Sequence, residues 1–205
     1  MKKLTIAFIC IALVMMSGMS RASNTLSAQG RCILTEATAP TIRGLKLGMT
    51  TQQLLAVFPG ITKKIEMKEA IDKARSVSRL EAVQLAFDPA TDGNAQQFVG
   101  VESVAAAVAG GRVVEFGLQY SGATWRTVDE WIAKISETLK LSDSRDWVTG
   151  SNENPNKVLR CDGVEIEAAL QGGGASIRVT NRGYFKALAE QEKAAEDKKR
   201  RDVKP

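Results

Sequence analysis

The sequence predicts an α+β domain: an antiparallel sheet of hairpins with short helices packed on one face. Three observations predict it. Apolar residues alternate with period two on both sides of Gly110-Gly111, and again beyond Asp162-Gly163, the pattern of tight β-hairpins. Two helices start at Thr50 and Thr127, each with a Gln or Glu three residues later as in a capping box. Strand patterns follow one another with few of the helical crossovers that a parallel sheet requires.

In chain order, Lys2 and Lys3 precede a 13-residue apolar run over 4–16 whose only polar member is Thr5, and Ser20-Arg21-Ala22 places small residues where signal peptidase reads. Residues 1–22 are therefore expected to be a secretory signal cleaved after Ala22, and the protein to be periplasmic or secreted. The competing reading is an uncleaved anchor, but such a run makes only ~20 Å of helix against a hydrocarbon core of ~30 Å. Cys10 lies inside the run behind Phe8-Ile9, out of place for lipid attachment. No later run reaches spanning length, so no transmembrane segment is expected after cleavage.

Losing Lys2, Lys3 and Arg21 leaves 25 basic against 23 acidic residues, a balance of +2, and the stretch 186–204 with seven basic and five acidic residues accounts for it. The globular part is neutral overall and carries no nucleic-acid footprint. Cleavage also removes Cys10, leaving Cys32 and Cys161 as an even pair in an oxidising compartment, which predicts a disulfide. Two free thiols or a redox pair are the alternatives, and the absence of C-x-x-C spacing argues against redox work.

Residues 23–40 are small and polar and read as an extended arm. Thr50 and Gln53 then cap a short helix with Leu54, Leu55 and Phe58 on one face, stopped by Pro59-Gly60. Met67, Ile71 and Ala74 fit a second helix within 61–76. Val83, Leu85 and Phe87 alternate as a strand ending at Asp88-Pro89, and 91–94 reads as a loop. Val104, Ala106 and Val108, then Val114, Phe116, Leu118 and Tyr120, form the first hairpin. From Thr127, Val128, Trp131, Ile132, Ile135 and Leu139 make one apolar stripe, the strongest helix of the chain. A polar loop through 152–156 leads to the second hairpin, with Val164, Ile166, Ala168 and Leu170 on its return strand and Ile177 and Val179 on a last one. Beyond Gly183 the chain becomes a charged helical tail over 183–205, with i,i+4 pairs Glu196/Arg200 and Asp197/Arg201. The globular part thus spans 41–182. A helix feeding antiparallel strands occurs twice, suggesting a structural pseudo-repeat with halves 41–122 and 123–182.

The stretch Leu47-Gly48-Met49-Thr50, followed by Leu54 and Pro59-Gly60, resembles the signature of the small outer-membrane-assembly lipoproteins and the related β-lactamase-inhibitor-protein-like domains. The resemblance covers about 14 of 205 residues. It implies short helices on an antiparallel sheet and a role in binding other proteins. The missing lipid-attachment cysteine departs from the lipoprotein pattern. As a whole the chain is similar to uncharacterised exported bacterial proteins, a likeness that implies no activity.

The absence of histidine excludes the commonest general base, the usual catalytic zinc sites and every Ser-His or Cys-His dyad. No phosphate loop, G-x-S-x-G or EF-hand spacing occurs, and no catalytic residue, metal site or cofactor is assigned. Gly172-Gly173-Gly174 reads as a turn. The expected function is a non-catalytic envelope module binding another envelope protein or a cell-wall polymer. The alternative is a histidine-free hydrolase of glycans working through paired carboxylates, for which Glu165 and Glu167 share one strand face; alternation opposite Val164 and Ile166 explains that pair as a solvated outer face. Trp125, Trp147 and Tyr120 are the binding candidates, since aromatic rings around the long helix could floor a groove, while Trp131 falls on the apolar stripe. Packing within the domain is the competing role for Trp125 and Trp147. No strand or helix announces an oligomer interface.

Overall fold

Capping, turn chemistry and alternation each take a definite form in the structure, a computed structural model that describes residues 32–202 except 79, 123–124, 142–143, 151–154 and 172–173. The signal expected over 1–22 and the arm up to 31 lie outside the described residues. Helix α1 (Thr51–Val57), a 3-10 turn (Pro59–Lys63) and α2 (Ile65–Ser76) lead into β1 (Ala82–Phe87), the single-turn α3 (Pro89–Asp92), β2 (Val101–Ala109) and β3 (Arg112–Tyr120). Helix α4 (Val128–Leu139) then leads into β4 (Trp147–Thr149), β5 (Asn156–Arg160), β6 (Val164–Gln171), β7 (Gly174–Asn181) and α5 (Arg182–Asp202). The strands make one seven-stranded antiparallel sheet in the order β1-β2-β3-β7-β6-β5-β4. Two successive helix-then-strand runs therefore meet where β3 pairs with β7. The fold is α+β.

The capping box at α1 forms in full: Thr50 Oγ1 accepts from the Gln53 amide at 3.3 Å, and Gln53 Oε1 accepts from the Thr50 amide at 2.8 Å. At α4 half of it forms. Thr127 Oγ1 accepts from the Glu130 amide at 3.2 Å, whereas Glu130 Oε2 reaches past Thr127 to the Arg126 amide at 3.0 Å.

The Leu47-Gly48-Met49-Thr50 stretch clamps α1 onto the β2–β3 hairpin. The Gly48 amide donates to the Val113 carbonyl at 2.8 Å, the Val113 amide to the Met49 carbonyl at 2.9 Å, and the Thr51 amide to the Gly111 carbonyl at 3.0 Å. Gly48 has φ +74°, so the backbone favours glycine there, and a Cβ would make the exposed Glu36 carboxylate, 2.1 Å from it, swing aside.

One face of the sheet carries α1, α2 and α4 over a core in which Phe58, Phe116, Leu118, Ile132, Ile166 and Ile177 are all but inaccessible. The Phe58 ring stacks on Phe87 at 4.3 Å and on Phe98 at 5.1 Å. Fully burying each such ring is worth roughly 1.5–3 kcal/mol. The first turns of α5 lie on the other face instead, where Tyr184 packs with Ala107, Ala109 and Val114, and Leu80, Ala82 and Leu188 lie against them. Tyr184 is buried and the adjacent Phe185 exposed, their rings meeting edge-on at 4.9 Å.

Two short elements, the first overlapping the loop expected over 91–94, go beyond what the sequence predicts. Residues 89–92 form α3, because the Asp92 carboxylate is buried where it accepts the Asp88 amide at 2.9 Å and pairs with Lys64 at 2.6 Å, a partner from a distant segment. Trp147 opens strand β4 opposite Leu159, a strand too short to show alternation.

Cys32 and Cys161 form the expected disulfide across 129 positions, with Cα atoms 4.5 Å apart. The arm is docked around it, since the Asp162 and Gly163 amides donate to the Cys32 and Leu34 carbonyls at 3.1 and 2.9 Å. Among the described residues no helix is long and apolar enough to cross a membrane.

Candidate functional site

Two surfaces bring together side chains that core packing does not need. The first is the open face of the sheet, away from α1, α2 and α4. Register puts Glu115, Gly117 and Gln119 of β3 beside Thr180, Arg178 and Ser176 of β7, and these beside Glu165, Glu167 and Ala169 of β6. Arg178 Nη2 pairs with Glu167 Oε2 at 2.9 Å, Asn156 Nδ2 donates to Glu167 Oε1 at 2.7 Å, Arg160 Nε pairs with Glu165 at 3.1 Å, and Thr180 donates to Glu115 at 3.1 Å. Gly117 leaves a dent beside Arg178, within a hollow of about 330 Å³ that Ser103, Ala105 and Gln119 also line. A second hollow of similar size adjoins it, edged by Arg182 and Phe185. Phe185 and Val148, two of the exposed large apolar side chains, border this face.

The carboxylates expected on an outer strand face are there. A glycosidase proton donor sits in an apolar, water-poor pocket, whereas Glu165 and Glu167 face guanidinium groups across an open sheet. What the arrangement can do chemically is present interlaced charges of both signs.

The second surface is a cleft of about 460 Å³ on the helix-bearing face, between the turn Thr41–Ile42–Arg43, the end of β3 and α4. Its floor is Trp131, only 6% exposed, whose Nε1 donates to the Ser176 carbonyl at 3.0 Å. Two predicted binding residues touch that floor: Tyr120, which lines the cleft, packs edge-on against Trp131 at 5.2 Å, and Trp125, which does not line it, tilts against Trp131 at 5.5 Å, both half-buried. Burial pushes the Tyr120 phenol above the ordinary tyrosine range, and the neighbouring Arg43 guanidinium pulls the other way. The third, Trp147, is 4% exposed in the core, with no partner for its Nε1 among the described residues, so packing is its role.

Arg43, Arg178, Glu115 and Gly117 were not singled out from the sequence. Strand register assembles the last three, and the only signal for Arg43 is its place before Gly44 between two apolar residues. Among the described residues no cluster of three or more metal-ligating side chains occurs. The chain matches no known family profile, no curated protein and no solved structure.

Proposed function

We propose that this chain is an exported, non-catalytic module that binds another protein of the cell envelope through the open face of its sheet. The observation that carries this reading is the interlaced set of Glu115, Glu165 and Glu167 with Arg160, Arg178 and Arg182 among small side chains. Such a face has no net sign, so it lacks the field that would collect a charged cell-wall polymer, and among the described residues its exposed aromatic ring is Phe185 at the edge, short of the platform that a neutral glycan would stack on. A flat surface of alternating charge with Arg at its centre and apolar residues at its border suits a protein surface of complementary pattern.

The experiment is site-specific photo-cross-linking in intact cells from Gln119, with Lys193 on the exposed tail as the control position. A discrete adduct from Gln119 that vanishes in the Arg178→Glu variant is the expected result. Equal labelling from both positions, or an adduct indifferent to Arg178→Glu, would overturn the reading. Export is tested separately by the intact mass of the purified protein, expected to begin at Ser23.

A further inference from the structure

The turn that closes the helix-side cleft contains an anomaly. Ile42 and Leu45 exchange both backbone hydrogen bonds at 2.9 Å, so Arg43 and Gly44 are the central pair of a two-residue turn, with φ +52° and +84°. Such a turn favours Asn, Asp or Gly at its first central position, because a Cβ there crowds the following carbonyl, a cost that glycine avoids and Asn or Asp offset with local hydrogen bonds. An arginine held in the left-handed region points to a function for its side chain.

That side chain is exposed, donates to the Val99 carbonyl at 3.3 Å and lies close enough to Tyr120 to influence its phenol. No carboxylate among the described residues pairs with it, and none lines the cleft. The cleft's other cation, Lys134, is already paired with Glu137 at 3.1 Å. Behind the mouth, Ile42, Ile135, Leu139 and Ile177 form an apolar wall over the Trp131 ring. The cleft therefore offers one uncompensated guanidinium and one phenol at its mouth, with hydrocarbon beneath.

We infer that this cleft binds an apolar monocarboxylate, its carboxylate forked by Arg43 and hydrogen-bonded by Tyr120, its apolar body laid against Trp131 and Ile135. A single guanidinium matches a single negative charge, and its planar fork matches the two oxygens of a carboxylate. The phenol is a donor at neutral pH, since its ordinary value of 10.0 already keeps it protonated there and burial moves it further up. The ligand can be a free acid or the C-terminal residue of a polypeptide, which share this chemistry. The cleft and the open sheet face lie on opposite sides of the sheet, so this inference stands or falls apart from the protein-binding reading.

The test is titration calorimetry of the full chain with octanoate and with N-acetylleucine, each beside its uncharged amide, repeated on Arg43→Gln and Tyr120→Phe after their melting curves show them folded. The acids are expected to bind at least ~10-fold more tightly than the amides, as a charge-assisted hydrogen bond provides. Arg43→Gln should erase that difference while leaving amide binding in place, and Tyr120→Phe should reduce it. Tighter octanoate then assigns a free acid, and tighter N-acetylleucine a chain end. Equal binding of acids and amides, no binding of either, an Arg43→Gln variant that binds the acids undiminished, or displacement of the acids by equimolar inorganic phosphate would each overturn the inference.

Discussion

The two halves of the sheet are closed by aromatic side chains of different kinds. In the first half, Phe58, Phe87 and Phe98 form a stack sealed from solvent, with Phe58 wholly buried. In the second half the corresponding layer under α4 is closed by Trp131, with Trp125 and Tyr120 half-buried at its margin and a cleft beside them. Phenylalanine has no polar atom to satisfy. Tryptophan and tyrosine do, and of the side-chain atoms buried without partners among the described residues Ser136 Oγ, Trp147 Nε1 and Asn156 Oδ1 lie in the second half, while Tyr184 Oη of α5 lies against first-half strands on the other face. The difference teaches that the first half is closed by rings with nothing polar to satisfy, whereas the second buries polar atoms at some cost in stability.

The largest expected effect comes from the cross-link that the second half has and the first lacks. Replacing both Cys32 and Cys161 by alanine is expected to lower unfolding free energy by ~5 kcal/mol on chain-entropy grounds for a closure of 129 positions. Chemical denaturation of the two forms checks it, and a loss under ~1 kcal/mol would mean that the docked arm holds by its hydrogen bonds alone. Next comes Phe58→Ala, which should cost ~3–5 kcal/mol because the stack leaves no room for the core to collapse; a smaller loss would remove the contrast between the halves. Arg43→Asn should raise stability by about 1 kcal/mol by relieving the left-handed turn, seen as a higher melting temperature. Trp147→Phe removes the unpartnered N–H together with part of the indole, so the relief of a buried polar atom and the cavity left behind should offset each other to within ~1 kcal/mol. The finest test is optical. Both tyrosines, Tyr120 and Tyr184, are pushed above their ordinary value of 10.0, chiefly by burial. Tyrosinate absorbance should therefore rise at higher pH in the folded protein than in denaturant. The folded state holds these protons longer, so stability is unaffected well below pH 10 and falls as pH rises past the unfolded value.

Local signals carried much of this architecture into the sequence. Thr50 with Gln53, Gly110-Gly111, Asp162-Gly163 and the stripe of α4 each act within a few residues, so each is readable from its own neighbourhood. What escaped depends on distant partners. Asp92 reads as loop charge until Lys64 arrives from another segment, and Trp147 sits on a three-residue strand that only β5 defines. The outward side of Glu165 and Glu167 is visible in their alternation, but their meeting with Arg178 and Glu115 is a matter of register across three strands. Tyr120 and Trp125 were legible as aromatics around the long helix. Arg43 was not, because it occupies a turn position that its own preferences oppose.

The link between Cys32 and Cys161 also sets a clock. A chain made from its N-terminus presents Cys32 first, and 129 more positions must follow before its partner exists. At ordinary rates of synthesis that interval is on the order of ten seconds. During it the sequence offers Cys32 one other thiol, Cys10. Removal of residues 1–22 would take that competitor away, so that when Cys161 arrives the pairing has a single outcome.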